Sequence, residues 1–251
     1  MATLQHNEVV IELENLTHRF PNGIKGVDNV SLSIRKGEFV IMAGPNGSGK
    51  TTLLRHLNGL VMPTEGIVRV NGVLVKENLV RARRMVGMVF QDADSQIVGE
   101  TVREDVAFGP ENLGLDPSAV DRRTNWALSK VGLSPMAEVS PHLLSGGEKR
   151  RLAIAGVLSM QPDIILFDEP FSNLDYPGIC QVVDQMKALK GDAHTIVVTS
   201  HYLDPIIALA DRLVILNQGR VVRDGEPATV AADAVPLGIR PPALFQPQES
   251  V

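Results

Sequence analysis

The most informative segment of the chain is FVIMAGPNGSGKT, residues 39–51. Its five apolar residues predict a fully buried strand, and the eight residues that follow match the pattern G-x-x-x-x-G-K-[ST]. A helix is predicted over residues 51–60. In such a strand–loop–helix unit, glycines let backbone N–H groups surround phosphate oxygens, and the helix N-terminus adds its positive dipole. We therefore expect an α/β fold with a phosphate-binding loop. A glycine-rich turn without a ligand is the disfavoured alternative.

The phosphate loop supplies most of the predicted nucleotide-binding residues. Lys50 is expected to reach the β- and γ-phosphates and so to assist catalysis, and the Thr51 hydroxyl is expected to bind Mg²⁺. The residues predicted to bind the nucleotide in this segment are Gly44, Pro45, Asn46, Gly47, Ser48, Gly49, Lys50, Thr51 and Thr52.

A second apolar run, IILFDEP at residues 164–170, ends in two acids. It predicts a strand whose carboxyl end faces the phosphate loop. Asp168 is expected to bind Mg²⁺, directly or through water. Glu169 is expected to point at the γ-phosphate and to polarise an attacking water. Two solvated acids at a strand end are the alternative, which the upstream phosphate loop disfavours.

Short strands separated by turns are predicted on both sides of these motifs. Apolar residues recur with period two in residues 9–13 and 30–34, as in half-buried strands, and residues 66–70 precede an Asn-Gly turn. Strands return at residues 195–199 and 213–216, with helical segments between them. Strands that alternate with helices predict a mainly parallel sheet covered by helices.

A helical subdomain is predicted to interrupt this α/β core at about residues 92–160. Thr101 and Glu104 have the spacing of a capping box, and Asp116 precedes a proline at a predicted first helical position. The last sixteen residues, 236–251, contain four prolines. They are expected to form a surface tail.

Composition excludes several classes of protein. The net charge is −5, so no overall basic field attracts nucleic acid, and we expect no nucleic-acid partner. A single cysteine, Cys180, allows no internal disulfide. Apolar runs are far shorter than the roughly 18 residues of a membrane helix, and the N-terminus has no secretory signal pattern. The expectation is a cytosolic protein that serves a membrane only through a partner.

The segment LSGGEKRR, residues 144–151, narrows the family. Ser145 is predicted to cap a helix, while Gly146 and Gly147 expose N–H groups to an anion. Here the chain resembles the ATP-binding-cassette (ABC) ATPases. The resemblance implies a P-loop NTPase (RecA-like) core with an N-terminal antiparallel β subdomain and an inserted helical subdomain, over residues 8–235. It also implies that these three signature residues close over ATP held by a second subunit.

Other positions match the family in order, and their roles are implied by the resemblance. Gln91 corresponds to the glutamine that meets Mg²⁺ and the attacking water and senses the transporter. His201 corresponds to the histidine that contacts the γ-phosphate. Phe20 lies near the aromatic position that stacks on adenine, with core packing as the alternative. Residues 172–175 resemble the segment that crosses the dimer interface, and Tyr176 departs from the proline found in many relatives.

Within the family, the chain is most similar to the ATPases of energy-coupling-factor (ECF) importers. The segments that carry this similarity are residues 91–97, 105–115, 146–158 and 237–242. The resemblance implies an ATP-hydrolysing subunit on the cytoplasmic face of the membrane, bound to an ECF-type transmembrane subunit and a substrate-binding membrane component. The imported substrate is expected to be cobalt or nickel, with a vitamin such as biotin as the alternative. The dimer partner is either an identical chain or a paralogous ATPase.

ABC ATPases of DNA maintenance form an alternative of another class. Those proteins carry long coiled coils, for which the 54 residues from Gln91 to Ser145 leave no room. A scaffold without ATPase activity is also disfavoured, because Lys50, Asp168 and Glu169 are all present.

Ile97 and Val98 are apolar residues in a predicted loop between polar neighbours. Two interpretations stay open from the sequence. The pair packs inside the helical subdomain, or it lines a groove that receives a short helix of the membrane partner.

Overall fold

The computed structural model describes residues 8–245. In that range the N-terminal part of the chain folds into an antiparallel sheet. Its strands are β1 (Val9–Arg19), β2 (Lys25–Arg35), β4 (Glu65–Val70) and β5 (Val73–Leu74). They are arranged in the order β2-β1-β4-β5. This agrees with the predicted antiparallel β subdomain.

The second sheet forms the centre of the molecule. Its strands are β3 (Phe39–Ala43), β6 (Val86–Val89), β7 (Ile164–Asp168), β8 (Thr195–Thr199), β9 (Arg212–Asn217) and β10 (Arg220–Gly225). The order is β10-β9-β3-β8-β7-β6. Among the described strands of this sheet, the β9–β10 pair is antiparallel and the other neighbouring pairs are parallel. The strands β3, β6, β7 and β8 are buried along their whole length. The predicted α/β fold with a mainly parallel sheet is confirmed.

Helices connect these strands and cover the sheet. They are α1 (Lys50–Leu57), α2 (Leu79–Met85), α3 (Val102–Asn112), α4 (Pro117–Lys130), α5 (Gly146–Ser159), α6 (Tyr176–Gly191) and α7 (Pro227–Ala232). The predicted caps are present, with capping boxes at Thr101 and Ser145 and an N-cap at Asp116. Within the described range no helix has both the length and the apolar character needed to cross a membrane.

Helices α3, α4 and α5 pack against one another and supply the helical insertion that the sequence predicts. Residues 92–101, expected to belong to it, form a loop, and the first helix begins at Val102. The buried Asp105 side chain explains this loop, because its Oδ1 accepts hydrogen bonds from the N–H groups of Val98 (2.7 Å) and Gly99 (3.0 Å). Those bonds replace the ones a helix would supply.

The parallel sheet divides the interior into two apolar cores. Side chains of β3 alternate between them, as the period of a strand requires. Phe39, Ile41 and Ala43 belong to the larger core, which includes residues of α3–α6. Val40 and Met42 belong to the smaller core, which includes residues of α1 and the antiparallel sheet. The sheet is therefore held from both faces, which fixes the position of its carboxyl edge.

The start of the predicted surface tail lies against the protein. Ile239 is 4% exposed and belongs to the larger core, and the Ala243 N–H donates to Asp204 Oδ1 at 2.7 Å. Within residues 236–245 the side chains of Ile239 and Pro242 are buried, whereas Leu244 is exposed, so this part of the predicted surface tail is anchored to the protein at a few positions. Residues 246–251 lie outside the described range.

Candidate active site

A cavity of about 520 Å³ lies at the carboxyl edge of the parallel sheet. It is lined by Phe20, Ile24, Lys25, Gly26, Asn46, Gly47, Ser48, Gly49, Lys50, Thr51, Thr52, Gln91, Glu169 and His201. The segments that follow β3, β6, β7 and β8 all reach this edge, because parallel strands bring their carboxyl ends together. The cavity thus joins residues that are far apart in the sequence.

The phosphate loop needs glycine where it passes the antiparallel sheet. Gly49 has φ +101°, and a Cβ on this residue would lie 2.3 Å from the Gly26 carbonyl oxygen. Gly49 is also the N-cap of α1 and supplies no side-chain acceptor for the first turn. The N–H groups there are left to bind an anion. Ser48 Oγ, buried and without a hydrogen-bond partner in the described structure, is a further polar group suited to a phosphate ligand.

Lys50 is held in place by main-chain carbonyl groups. Its Nζ donates to the oxygens of Gly44 (2.7 Å) and Pro45 (3.2 Å) and lies 3.6 Å from Glu169 Oε1. Gly44 and Pro45, predicted to bind nucleotide, are not among the residues that line the cavity. Their observed contribution is to orient the lysine, whose ammonium group faces the carboxylate of Glu169.

Thr51 and Asp168 are brought together as the sequence predicts. The Thr51 Oγ1 hydroxyl donates to Asp168 Oδ1 at 2.8 Å, and Asp168 is buried. Hydroxyl and carboxylate oxygens are hard donors that suit Mg²⁺. The described residues contain no group of three His, Cys, Asp or Glu side chains that could hold a metal. Mg²⁺ is usually bound by one or two carboxylates and completes its shell with water and substrate phosphates.

Glu169 has an unusual backbone and a well-defined side chain. Its φ is +44°, in the left-handed region that residues with a Cβ seldom adopt. Its Oε2 lies 2.9 Å from His201 Nδ1 and accepts a longer bond of 3.4 Å from the His201 N–H. The carboxylate therefore lies between Lys50 and His201, an arrangement that can orient and activate a water molecule.

Gln91 also lines the cavity, and its Nε2 donates to Ser172 Oγ at 3.4 Å. Its main chain is fixed by the buried Arg150 guanidinium, which donates to the carbonyl oxygens of Phe90 and, at 2.6 Å, of Gln91. Burial lowers the pKa of Arg150, while the carboxylates of Asp92 and Asp168 act in the opposite direction. An arginine nevertheless stays charged at neutral pH. The positively charged guanidinium of Arg150 therefore contacts the main chain of Gln91 directly.

Phe20 lies at the rim of the cavity. The ring is 39% exposed, contacts the His18 ring edge-on at 4.8 Å and occupies space that a Cβ on Gly26 would need. Core packing does not account for a ring with this exposure. Stacking on adenine stays a prediction that the position of Phe20 suits.

The signature residues Ser145, Gly146 and Gly147 are not brought to this cavity. They begin α5, where Ser145 is exposed and its Oγ accepts the Glu148 N–H at 3.3 Å. Hydrogen bonds from Ser145 lower the pKa of the Glu148 carboxyl. The second predicted phosphate site therefore lies outside the cavity that contains the phosphate loop of the same chain.

Several residues at the site were missed by the sequence analysis. Ile24, Lys25 and Gly26 reach the cavity through the hairpin of β1 and β2, which no local motif signals. Arg150 belongs to the signature segment, residues 144–151, whose pattern does not predict its contacts with the main chain of Phe90 and Gln91. Thr199 contacts both acids from the end of β8, and its place two residues before His201 could have indicated it.

A separate groove of about 590 Å³ lies between α2, α3 and α5. Its lining includes Val98, Phe108 and Met160. Val98 is 60% exposed, whereas Ile97 is half-buried and packs against the larger core. Ile97 therefore has the inward packing of the first interpretation. Val98 lines a groove, as the second interpretation requires, and its partner stays a prediction.

Similarity to known proteins identifies the family of this chain. The ABC transporter family profile matches residues 27–172. The chain belongs to the ABC transporter family, as an ATPase of the energy-coupling-factor type. It is 43% identical over 238 residues to an energy-coupling factor transporter ATP-binding protein of Clostridium novyi, covering 92% of this chain and 84% of that relative. It is 41% identical over 242 residues to a cobalt import ATP-binding protein of Rhodobacter capsulatus, covering 94% and 86%.

Solved structures give the same result. CbiO1 of Clostridium perfringens, described as part of an ABC transporter complex, superposes with a TM-score of 0.83 at 29% identity over 91% of this chain and 92% of that one. A dimeric ATP-binding cassette bound to ADP and phosphate has a TM-score of 0.78 at 32% identity, covering 86% and 98%. The predicted family, fold class and ATPase activity are confirmed, and ATP is the nucleotide.

Proposed function

We propose that the protein is the ATP-hydrolysing subunit of an ECF-type importer that drives uptake of a transition-metal ion, cobalt or nickel, through membrane partner subunits. The observation that carries the ATPase part is the Glu169 carboxylate, held between Lys50 and His201 beside the Thr51–Asp168 pair. Support for the metal comes from the Rhodobacter capsulatus relative, whose name states cobalt import. A vitamin such as biotin is the other candidate substrate.

The phosphate loop is proposed to bind the ATP phosphates through residues 44–52. Two observations support this role. The first turn of α1 has no side-chain N-cap, and the buried Ser48 hydroxyl has no hydrogen-bond partner in the described structure. Phe20 is proposed to stack on the adenine ring, an interaction worth about 1–3 kcal/mol for bases on aromatic side chains. Its place on the cavity rim supports that role.

Thr51, Asp168 and Gln91 are proposed to hold Mg²⁺, which when bound neutralises charge on the phosphate oxygens. Glu169 accepts a proton from the attacking water at its carboxylate. The Lys50 ammonium lies 3.6 Å from that carboxylate, and the His201 ring at 2.9 Å fixes its orientation. His201 and Lys50 are also proposed to contact the γ-phosphate.

The complete site is proposed to need a second ATPase subunit. Ser145, Gly146 and Gly147 lie outside the cavity of their own chain and are open to a partner, with two of them exposed. Two chains in a head-to-tail pair would each supply these residues to the other. Similarity to a dimeric cassette supports this arrangement, with an identical chain or a paralogue as the partner.

The groove beside Val98 is proposed to bind a short helix of the ECF-type transmembrane subunit, which places the protein at the cytoplasmic face of the membrane. The exposed apolar side chains of Val98 and Phe108 support this assignment. The substrate-binding membrane component completes the importer.

The decisive experiment replaces the proposed base. Glu169→Gln should retain ATP binding and lose about 10²–10⁴-fold in steady-state turnover, the usual scale of general base catalysis. Glu111→Gln, which changes an exposed carboxylate on α3, is the matched control. Phosphate release measures turnover, and equilibrium dialysis with ATP measures binding. Near-normal turnover by Glu169→Gln would remove the base from the mechanism.

The substrate is tested with the assembled importer. Co-purification from membranes, followed by metal and vitamin analysis of the complex, should recover cobalt or nickel. Radioactive cobalt or nickel should then enter cells only when turnover is intact. Recovery of a vitamin instead of a metal contradicts the metal assignment and leaves the ATPase role in place.

A further inference from the structure

Thr199 is a buried polar residue to which the mechanism above gives no part. It is the last residue of β8 and is fully buried. Its Oγ1 lies 2.8 Å from Asp168 Oδ1, 3.0 Å from the Glu169 nitrogen and 3.4 Å from the Phe167 oxygen. A hydroxyl has one proton to donate and can accept two bonds. The shortest contact assigns that proton to Asp168, and the Glu169 N–H donates to the same hydroxyl.

The bond to Asp168 determines which carboxylate oxygen is available. Oδ1 receives the hydroxyls of Thr51 and Thr199, each at 2.8 Å. A carboxylate oxygen offers two lone pairs, so these donors occupy Oδ1 and leave Oδ2 for a metal or its water. Hydrogen bonds that orient a metal ligand in this way, here the Asp168 carboxylate, affect how well the metal site is preorganised.

The bond to Glu169 acts on the main chain. Glu169 has φ +44°, and such a conformation persists when the surroundings determine it strongly. Its N–H donates to both the carbonyl oxygen (3.1 Å) and the hydroxyl (3.0 Å) of Thr199. The threonine therefore anchors the turn from which the Glu169 carboxylate projects.

We propose that Thr199 is a positioning residue for ATP hydrolysis, because its one hydroxyl binds Asp168 Oδ1, which leaves Oδ2 for the metal, and also accepts the backbone N–H of Glu169. It acts through those two residues and is not among the residues that line the cavity. The inference rests on the proposed roles of Asp168 and Glu169. Loss of the hydroxyl should therefore weaken Mg²⁺ binding and slow hydrolysis at the same time.

The test compares two buried threonines of the same strand. Thr199→Val removes the hydroxyl with little change of shape, and Thr199→Ser restores it. Thr195→Val is the matched control, since Thr195 is buried at the other end of β8 and its hydroxyl accepts the Gly37 N–H at 3.0 Å. Both valine variants lose one buried hydroxyl, and only one of them loses it beside the acids.

Three quantities are measured: the thermal midpoint, the steady-state rate, and the Mg²⁺ concentration that half-saturates the enhancement of fluorescent ATP-analogue binding. We expect similar falls in thermal midpoint for both valine variants. Thr199→Val should lower the rate and raise the Mg²⁺ midpoint, each by about 10–100-fold, as for other residues that orient metal ligands. Thr199→Ser should recover both to within about threefold of the wild type. Should Thr199→Val not fold, Thr199→Ala carries the same expectation.

Equal rates and equal Mg²⁺ midpoints in Thr199→Val and Thr195→Val would overturn the proposal. Glu169→Gln, assayed in parallel, separates this failure from that of the proposed function. Inactive Glu169→Gln together with unaffected Thr199→Val removes only the positioning role. Active Glu169→Gln removes the proposed catalytic role of Glu169 itself, and with it the basis of the inference.

Discussion

His56 makes the stability of the protein depend on pH. It lies on α1 and is buried, with its Nδ1 donating to the Thr52 oxygen at 2.6 Å. Its Nε2 has no hydrogen-bond partner within residues 8–245. Burial, with a smaller effect of the neighbouring His18, lowers the pKa of His56 from 6.5 to about 4. The ring is therefore neutral at pH 7, and the folded state resists its protonation.

The magnitude follows from the two pKa values. Between pH 6.5 and pH 4 the unfolded chain binds the proton and the folded chain does not, so acid favours unfolding. The full stability is present above the unfolded pKa and falls by about 1.4 kcal/mol per pH unit below it. From pH 7.5 to pH 5 this residue alone should cost about 2 kcal/mol, and about 3 kcal/mol once the pH is below the folded pKa.

Urea unfolding at pH 7.5 and pH 5 tests this number. At pH 7.5, His56→Leu should be within about 1 kcal/mol of the wild type, because it loses one hydrogen bond and also removes an unpartnered nitrogen. Its loss of stability at pH 5 should be smaller by about 2 kcal/mol. His142→Gln, at an exposed position, controls for removal of a histidine. Burial also lowers the pKa of His194, and this contribution cancels in the comparison. Equal pH dependence in the wild type and His56→Leu would refute the reasoning.

Two further predictions concern the surfaces used for assembly. In the Glu169→Gln background, ATP should promote dimers and Ser145→Arg should abolish them, since the arginine blocks the exposed signature face; a dimer that persists in sedimentation contradicts this. Val98→Asp should retain ATP binding but fail to co-purify with the membrane subunits, whereas Ile97→Asp should lower the thermal midpoint because Ile97 packs against the larger core. Intact assembly of Val98→Asp places the partner elsewhere.

The parts of the fold that the sequence predicts are those governed by local pattern. The apolar runs at 39–43 and 164–167 form buried strands because each residue belongs to one of the two cores. Caps such as Thr101 and Ser145 satisfy N–H groups a few residues away, so short-range spacing is enough to recognise them. The juxtaposition of Thr51 and Asp168 also follows, because parallel strands align their carboxyl ends.

Specific side-chain contacts account for what the apolar pattern did not reveal. Residues 92–101 lie in a helix-rich region of sequence, yet a Cβ on Gly99 would lie 2.3 Å from the Asp105 nitrogen, and the Asp105 carboxylate binds the loop. In the proline-rich segment after residue 235, Ile239 finds a place in the larger core. The first outcome rests on contacts only six and seven residues apart in the sequence, whereas the second depends on how distant elements pack.

Arg150 shows how such contacts matter for the proposed mechanism. Its buried guanidinium binds two main-chain carbonyls, those of Phe90 and Gln91, without a direct carboxylate partner among the hydrogen bonds described. Burying a charge this way is costly unless its donors are well matched. The planar guanidinium presents a fixed fork of N–H donors to two adjacent carbonyl groups, while its Nε has no hydrogen-bond partner among the described residues. This fork gives the arginine a structural role that the motif alone does not indicate.

The same helix carries further links to the segment that contains Gln91. Lys149 Nζ lies 2.6 Å from Asp94 Oδ1, and Gln96 Nε2 donates to the Ala153 oxygen at 3.4 Å. Helix α5 begins at the signature serine, and the segment it binds leads from the nucleotide cavity to the apolar groove. A shift of α5 must displace Gln91 or break these bonds. Helix α5 and the segment bound to it thus contact all three proposed sites. These are the partner's nucleotide, the chain's own nucleotide and the membrane subunit. The helix gives the three sites a shared structural element through which binding at one can influence the others.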